Sequence, residues 1–588
     1  MDNKDKKTIN NTTFLYAGTD ALGRKVDNTK VDDGTKEIGI FYCLWLGSHG
    51  AEHIYDVSKI IAKDSNAANS EEAWISAGGG NLGDAHWWGE SLFGYYQQSD
   101  EWVVDKDVQM LTDAGVDFLG LDCSNGFIYE EKLLILLQVL DKYYQQGFKV
   151  PRITPITKAH PGRTMMSLYE DIYRKHPEYS HLWYYIDEKP VMIGDKQAEG
   201  LTQDCLAFFD FLYPQWPREP YRADGIPWMD FGIWTEDGKQ AIFGTENTKT
   251  IISVSLAQHN GTKALSSSAF YGNTTNRTRS WHDGANEQEK EAYLYGYNFR
   301  EQFEYACACN PDIIFITGWN EWIAQRQKNW LDMEGNPFTD PIILVDNADI
   351  NNSRDIQPMK GGYGDNYYMQ MVQYIRQFKG AMVVNNRLNV TVAIKPITID
   401  IQGDFSQWEQ VEWHYQDYVD DTCERNSIGY GNVEYKDATG RNDISRIKVA
   451  HDENNLYTYI QTMDDIVGME QEHCMSMFIC TGNEKNVSWN GYDFVINRVP
   501  AMKDKLVVEQ YTESGWEKID EVSYLLKGNE LQFEIPLSIL GMKDKDVSIQ
   551  FKVADNYQDA EGIYSFYLHG DSAPYGRLNY VYDCNGVG

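Results

Sequence analysis

Between residues 36 and 385, eight apolar runs recur at spacings too long for hairpins: "EIGIFYCLWLG", "VDFLGLDCSNG", "VPRITPITKA", "KPVMIGD", "CLAFFDFLYP", "TIISVSLAQH", "DIIFITGWNEW" and "PIILVDN". Between them lie amphipathic segments of helix length, such as "SDEWVVDKDVQMLTDAG" and "YEEKLLILLQVLDKYYQQG". A strand that is apolar on both faces must be covered on both. Helices between such strands supply that cover and bring the strands side by side in parallel. Eight such units over about 350 residues predict a (β/α)8 TIM barrel with long loops. Neither GxGxxG after the first strand nor GxxxxGK[ST] occurs, so the nucleotide-binding folds lack their fingerprint.

The pattern changes near residue 396. Segments such as "ISRIKVAHDENNLYTYIQT", "HCMSMFICTG", "LQFEIPLS" and "VSIQFKVADN" alternate apolar and polar residues between Gly, Asn and Asp. They predict an all-β antiparallel sandwich. The expected organisation is a lead segment at 1–35, the barrel at 36–390 and the sandwich at 396–588. A length of 588 residues accommodates two domains.

The formal charge is −36, which repels phosphate backbones and anionic membranes, so no nucleic-acid partner is expected. There is no apolar stretch of about 18 residues, hence no expected transmembrane segment. The nine cysteines form no CxxC pair, and Cys307 and Cys309 are expected to pack as small buried residues. The expected localisation is the periplasm or cell surface, with an export signal replaced by Met before "DNKDKKTINNTTF", though a cytoplasmic protein could begin the same way.

In a parallel barrel the C-terminal strand ends open into the loop-built cleft, where catalytic groups gather. The first run leads into "LWLGSHGAEHIYD", with Trp45, His49, Glu52, His53 and Asp56. The second ends at Asp122 and Asn125, the sixth at Gln258 and His259, the seventh at Trp319, Asn320 and Glu321. A long loop after the first strand, "DAHWWGESLFGYYQQSDEW", adds His86, Trp87, Trp88, Glu90, Tyr95 and Tyr96. Loops of that length in compact domains are usually functional. The 39 Tyr and 17 Trp supply core bulk, and also flat apolar faces on which sugar rings stack. No GxSxG or HExxH occurs. His49 and His53, four apart, could hold a metal with Asp56, although Gly50 between them opposes a helix there.

"FGYYQQSDEWVVDKDVQMLTDAGVDFLGLD" resembles the "GYY…D…V…A…AG-D" pattern opening the barrels of glycoside hydrolase family 99-like proteins. That group includes the endo-α-mannosidases and the WbsX-type proteins of polysaccharide loci. "ITGWNEW" resembles their late-strand "NEW" motif, and together the two cover about residues 85–325. The resemblance implies a glycan-active barrel with Glu321 as a catalytic carboxylate. The mannosidase pattern has a second carboxylate three residues on, where this chain has Ala324, so mannosidase specificity is not implied. "IDIQGDFSQWEQV", with "VAHDENNLYTYI" and "WNGYDFVINR" downstream, resembles the opening of family 9 carbohydrate-binding-module or DOMON-like sandwiches. It meets their "I-D-G-x-x-x-x-W" at Ile401, Gly403, Asp404 and Trp408. That resemblance implies sugar binding or support of the barrel, and a possible structural calcium in an acidic loop of the C-terminal domain; no other cofactor is expected.

Glycoside hydrolysis needs two carboxyl groups, one to protonate the leaving oxygen and one to attack or to activate water. Glu321, between two tryptophans, is expected to have a raised pKa and to act as the acid, with Asp122 as partner. Asp84, Asp230 and Glu236 are reserve carboxylates. Trp45, His49, His86, Trp87, Trp88, Asn125, His259, Trp319, Asn320 and Trp322 are the expected carbohydrate contacts, and no catalytic metal is required. The rival reading is a non-catalytic glycan-binding protein on a hydrolase-like barrel.

Overall fold

The computed structural model describes residues 16–27, 34–216, 219–228, 240–245, 248–259, 263, 265–272, 275–332, 334–379, 395–500, 505–543 and 546–584. Eight parallel strands form one sheet: β1 (Glu37–Tyr42), β2 (Phe118–Cys123), β3 (Arg152–Thr157), β4 (Val191–Ile193), β5 (Asp210–Pro214), β6 (Gly225–Ile226), β7 (Ile251–Val254) and β8 (Ile313–Ile316). Each pairs with the next in sequence except β6 and β7, and β8 returns to pair with β1. The gap between β6 and β7 is bridged by residues 243–244, where Phe243 pairs with Ile251 and Gly244 N–H bonds Ala223 O. The sheet is thus a near-closed barrel. Helices α1 (Glu101–Ala114), α2 (Glu130–Gln145), α3 (Pro161–Ser167), α4 (Gln203–Phe208) and α5 (Tyr297–Cys309) flank it, with α6 (Asn366–Phe378) after the last strand.

One of the eight expected strands needs correction, and one barrel strand was not among those expected. "PIILVDN" is not a barrel strand: Ile343–Leu344 pairs antiparallel with Ile323–Gln327, which pairs in turn with Ala85–Trp87. This three-stranded sheet follows directly on the end of β8. The barrel position is filled instead by β6, two residues long and too short to leave a hydrophobic pattern. "DIIFI" is therefore the eighth strand and "TIISVSLAQH" the seventh.

The barrel is a packed core, not a pore. Phe41, Phe118, Ile156, Ile193, Ile226, Ile251 and Phe315 fill its interior. Gly39 makes room for them, since a Cβ there would lie 2.3 Å from the Phe118 ring and 2.7 Å from Phe315. Helix α1 ends where Gly115 takes φ +82° and closes its last carbonyls, a conformation that favours glycine. Cys307 and Cys309, expected to be buried, are only partly so at the end of α5, and all nine cysteines are free thiols.

From residue 415 onward the strands are antiparallel and form two leaves. The 13-residue strand Gly515–Lys527 runs from one leaf to the other, pairing Lys505–Thr512 in its first part and Glu530–Pro536 in its last. The inner faces meet through contacts such as Tyr415 on Phe551 and Thr458 Oγ1 on Met477 Sδ. Trp408 is a core residue, 2% exposed, with its Nε1–H bonded to Gln532 Oε1. It is thus a structural plug and not a sugar platform. The junction expected at 390–396 lies mostly outside the described residues.

The two parts are joined by buried polar contacts. Arg425 pairs with Asp100 at the start of α1 (2.7 Å), Tyr418 Oη donates to Asp113, and Arg577 grips Asp365 with two nitrogens at 2.6 and 3.1 Å. The hairpin of Arg425–Ile428 and Glu434–Asp437 reaches the first barrel loops: Tyr430 Oη accepts Gly47 N–H and Tyr435 Oη accepts Tyr95 N–H, both at 2.7 Å. Breaking a buried pair strands the remaining charge, at a cost of roughly 3–5 kcal/mol. Since both side chains of the Arg577–Asp365 pair are at most 2% exposed, Arg577→Leu is expected to lower the free energy of unfolding by that amount, read as a lower urea midpoint. A midpoint within error of the parent would refute that role for the pair.

Candidate active site

A cleft of about 590 Å³ opens at the C-terminal end of the barrel. Its walls are aromatic, from Phe41, Trp45, Phe127, Trp216, Trp228 and Trp330, and three carboxyl groups, Asp122, Glu321 and Asp346, face into it. His49, Asn125, Lys158, Thr317, Gln325, Gln327 and Arg354 complete the polar lining. Such a site, apolar with a few convergent polar groups, is the usual form of a small-ligand pocket.

Glu321 is held from every side. Its N–H donates to Asp355 Oδ1 (2.8 Å), and its carbonyl accepts Trp88 Nε1–H (3.0 Å) and Asn347 Nδ2–H (3.1 Å). Its Oε2 accepts from Asn347 Nδ2 at 3.1 Å and from Arg354 Nη2 at 3.5 Å. The residue is 7% exposed. Burial holds the carboxyl well above the usual carboxylate range; Asp346, Asp355 and Asp122 add to the rise and Arg354 opposes it. The cause is depth and like charge, not the tryptophan cover expected from the motif.

The motif residues beside Glu321 form a frame. Asn320 Oδ1 accepts Cys43 N–H and its Nδ2 donates to Gln98, tying β8 to the end of β1. Gln98 donates to Tyr42 Oη, which donates to Asp107 on α1. Asp107 accepts from Gln357, and Gln357 Oε1 accepts Trp322 Nε1–H at 2.5 Å, closing the circuit behind the glutamate. Trp322 also stacks on Trp88 with centroids 4.5 Å apart. Gly318, at φ +152°, lets this turn pass: a Cβ there would meet Arg354 O at 2.6 Å and Asp355 Oδ1 at 2.9 Å.

Asp122, at the end of β2, faces the same cleft. Its Oδ1 accepts Ser124 N–H and Oγ–H, and burial pushes its carboxyl up to about 6, moderated by those two bonds. Asp346 lies at the end of Ile343–Leu344 with 25% of its side chain exposed. One guanidinium nitrogen, Arg354 Nη2, is 3.3 Å from Asp346 Oδ1 and 3.5 Å from Glu321 Oε2. This one nitrogen thus bridges the two carboxyl groups.

No family model and no curated protein matches the chain. Among solved structures it is similar to the GH99 endo-alpha-mannosidase from Bacteroides thetaiotaomicron in complex with BIS-TRIS-Propane, at 14% identity and a TM-score of 0.32, over 59% of this chain and 98% of that one. A second structure of that enzyme gives 13% identity and a TM-score of 0.31, over 60% and 99%. A carbohydrate binding module family 9 (CBM9) from Caldicellulosiruptor kristjanssonii in complex with glucose gives 14% and 0.17, over 34% and 88%. These are the two families whose motifs the sequence resembles. At such scores neither lends a residue role.

Of the expected sugar contacts, Trp45, His49 and Asn125 line the cleft. The others do not. Trp87, Trp88, Trp319, Asn320 and Trp322 are fully buried framework. His86 is buried, accepts from Gly80 N–H and Trp74 Nε1–H, and burial pulls its pKa down to about 4. His259 is buried against Asn352 O, with its pKa pulled down to about 3. Of the reserve carboxylates, Asp84 accepts Asn81 N–H in a turn away from the cleft, and Asp230 and Glu236 lie outside the described residues.

The metal alternative also separates. Asp56 caps the helix Val57–Lys63 and accepts Tyr95 Oη–H, while His49 turns to Tyr129 Oη. Among the described residues these three are not a metal-ligating group. Ala324 has its own explanation. It sits on the opposite face of its strand from Gln325 and Gln327, which line the cleft, and packs with Trp74 and Val57. A carboxylate at 324 would point into that apolar cluster.

Sequence reasoning missed Asp346, Arg354 and Asp355. The signal for Asp346 was present, since it follows the apolar run "IILV" as Asp122 follows "FLGL". Arg354 and Asp355 lie in irregular chain and carry no such mark. Among the described residues no helix is long and apolar enough to cross a membrane.

Proposed function

We propose that the chain is a glycoside hydrolase that cleaves O-glycosidic bonds of an oligo- or polysaccharide, with Glu321 as general acid and Asp122 as its partner. The observation that carries this reading is the convergence of Glu321 with Asp122 and Asp346 in one aromatic-walled cleft at the C-terminal end of a barrel. Glu321 gives its proton to the glycosidic oxygen as the bond to the anomeric carbon breaks. Asp122 supplies the negative charge on the sugar side, by direct attack or by taking a proton from water. Tryptophan faces hold the sugar rings by their C–H surfaces.

Asp346 and Arg354 are positioning residues that tune the acid. Asp346 raises the pKa of Glu321 and Arg354 lowers it. A general acid must be protonated to act, so activity is lost as pH rises through its pKa. Asp346→Asn is therefore expected to move the alkaline limb of the pH–rate profile to lower pH, and Arg354→Gln to move it higher. Limbs that stay in place in both variants would remove Glu321 from the acid role. The activity itself is tested by screening the purified chain against plant, algal, fungal and host glycans, with Glu321→Gln as the control.

A further inference from the structure

A second pocket, of about 170 Å³, shares no lining residue with the cleft. It lies between the lead hairpin of Gly18–Thr19 and Lys25–Val26, the chain entering α5, and α6. Where the cleft gathers three carboxyl groups, this pocket gathers three cations, Arg24, Lys25 and Arg300, against one carboxyl, Asp20. Arg24 is engaged in structure. Its Nε pairs with Asp20 Oδ2 (2.6 Å), and its Nη1 and Nη2 donate to Tyr295 O and Asn366 O (2.7 and 3.2 Å). Lys25 and Arg300 are exposed and, among the described residues, form no ion pair. Glu301 and Glu304 follow on α5, but Glu301 accepts Asp283 N–H and neither pairs with Arg300. Three cations less one carboxyl leave the lining with a surplus of two positive charges, in a chain of formal charge −36.

The same pocket has a flat apolar wall. Tyr295 is 37% exposed and stacks on Tyr297, with centroids 5.4 Å apart and planes 11° from parallel. Arg24, bonded to the Tyr295 carbonyl, fixes the backbone that carries this open ring. Tyr374 Oη accepts Gln370 Nε2–H at 3.1 Å, which leaves its own O–H to donate. Phenol faces suit the C–H surface of a sugar ring, while ammonium and guanidinium suit a carboxylate or sulfate on its rim. A neutral sugar would use only the ring, and a bare inorganic anion only the cations.

We propose that this pocket is a second ligand site, for an acidic sugar unit stacked on Tyr295 with its carboxylate or sulfate held by Lys25 and Arg300. It binds and does not cleave, since its one carboxyl, Asp20, is paired with Arg24. Repulsion from the rest of the chain is screened beyond about 8 Å at physiological salt, so the two local cations decide the sign. The two pockets then differ in what they admit, the cleft being lined by acids and this one by bases. Binding here needs no turnover, so the site does not depend on the hydrolase reading.

The test is calorimetric titration of the full chain with monosaccharides, which have no glycosidic bond to lose: D-glucuronate, glucose 6-sulfate and glucose, with inorganic sulfate as the bare anion. At least one acidic sugar is expected to bind, and the tighter of the two names the anion. A Lys25→Gln/Arg300→Gln double variant, changed at two exposed positions, is expected to bind it at least about tenfold more weakly. Its melting temperature and its response to glucose, which reports on the cleft, are expected to stay parental. Tyr295→Ala is expected to weaken the acidic sugar at least about threefold and to spare inorganic sulfate. A parent that binds neither acidic sugar, or a double variant that binds them as the parent does, would overturn the proposal. Acidic-sugar binding unchanged in Tyr295→Ala would overturn the sugar assignment and leave a site for bare anions.

Discussion

Glu321→Gln is expected to slow cleavage of an unactivated glycan by roughly 10²–10⁴-fold, the usual worth of a positioned general acid, while the thermal melt stays close to the parent's. Glutamine keeps the shape and can still accept from Asn347 and Arg354, but it has no proton to give. The loss should depend on the leaving group. From a nitrophenyl glycoside of the same sugar the nitrophenolate departs without protonation, so the variant should cleave it at close to the parental rate in the bond-breaking step. Equal losses on both substrates would mean that Glu321 acts otherwise than as the acid. Full activity on the natural glycan would remove it from catalysis, and a parent that binds glycan without cleaving any would favour the binding-protein alternative.

The second large effect is expected at Asp122. Burial puts its carboxyl near pH 6, above the ordinary aspartate value. A nucleophile or base must be ionised, so activity should fall as pH drops through about 6 and level off above it, until the Glu321 limb is reached. Asp122→Asn is expected to cost at least about 10²-fold and to abolish the acidic limb. A loss below about tenfold, with the limb intact, would transfer the partner role to Asp346, the carboxyl that shares Arg354 with the acid. Measuring both variants on one substrate across pH separates the two candidates.

The barrel was legible where strands are long. β1, β2, β3 and β8 are apolar on both faces, and only parallel strands between helices need that. β6 was illegible because two residues carry no period, and "PIILVDN" misled because an apolar run looks the same in a lid sheet as in a barrel. Glu321 and Asp122 could be placed at strand ends from pattern alone. Of the expected aromatic contacts only Trp45 lines the cleft, because a Trp beside a cleft residue reads the same whether it faces the cleft or the core. Here Trp319 and Trp322 face core, and the cleft takes its indoles from distant loops at Trp216, Trp228 and Trp330. Arg354 reaches Glu321 from 33 positions away, a contact made by the fold and invisible in any local window.

The hairpin that carries Tyr430 and Tyr435 has an effect beyond joining two domains. It holds the loop that presents Trp45 and His49, through Gly47 N–H, and the aromatic loop at Tyr95 whose neighbours brace Glu321. One rim of the cleft thus stands on the C-terminal domain. A chain cut at 395 would keep Glu321, Asp122 and Asp346 and lose part of their footing, so the barrel is not a free-standing unit to which a second domain was added. Transplanting either half onto another protein would carry an unfinished surface with it.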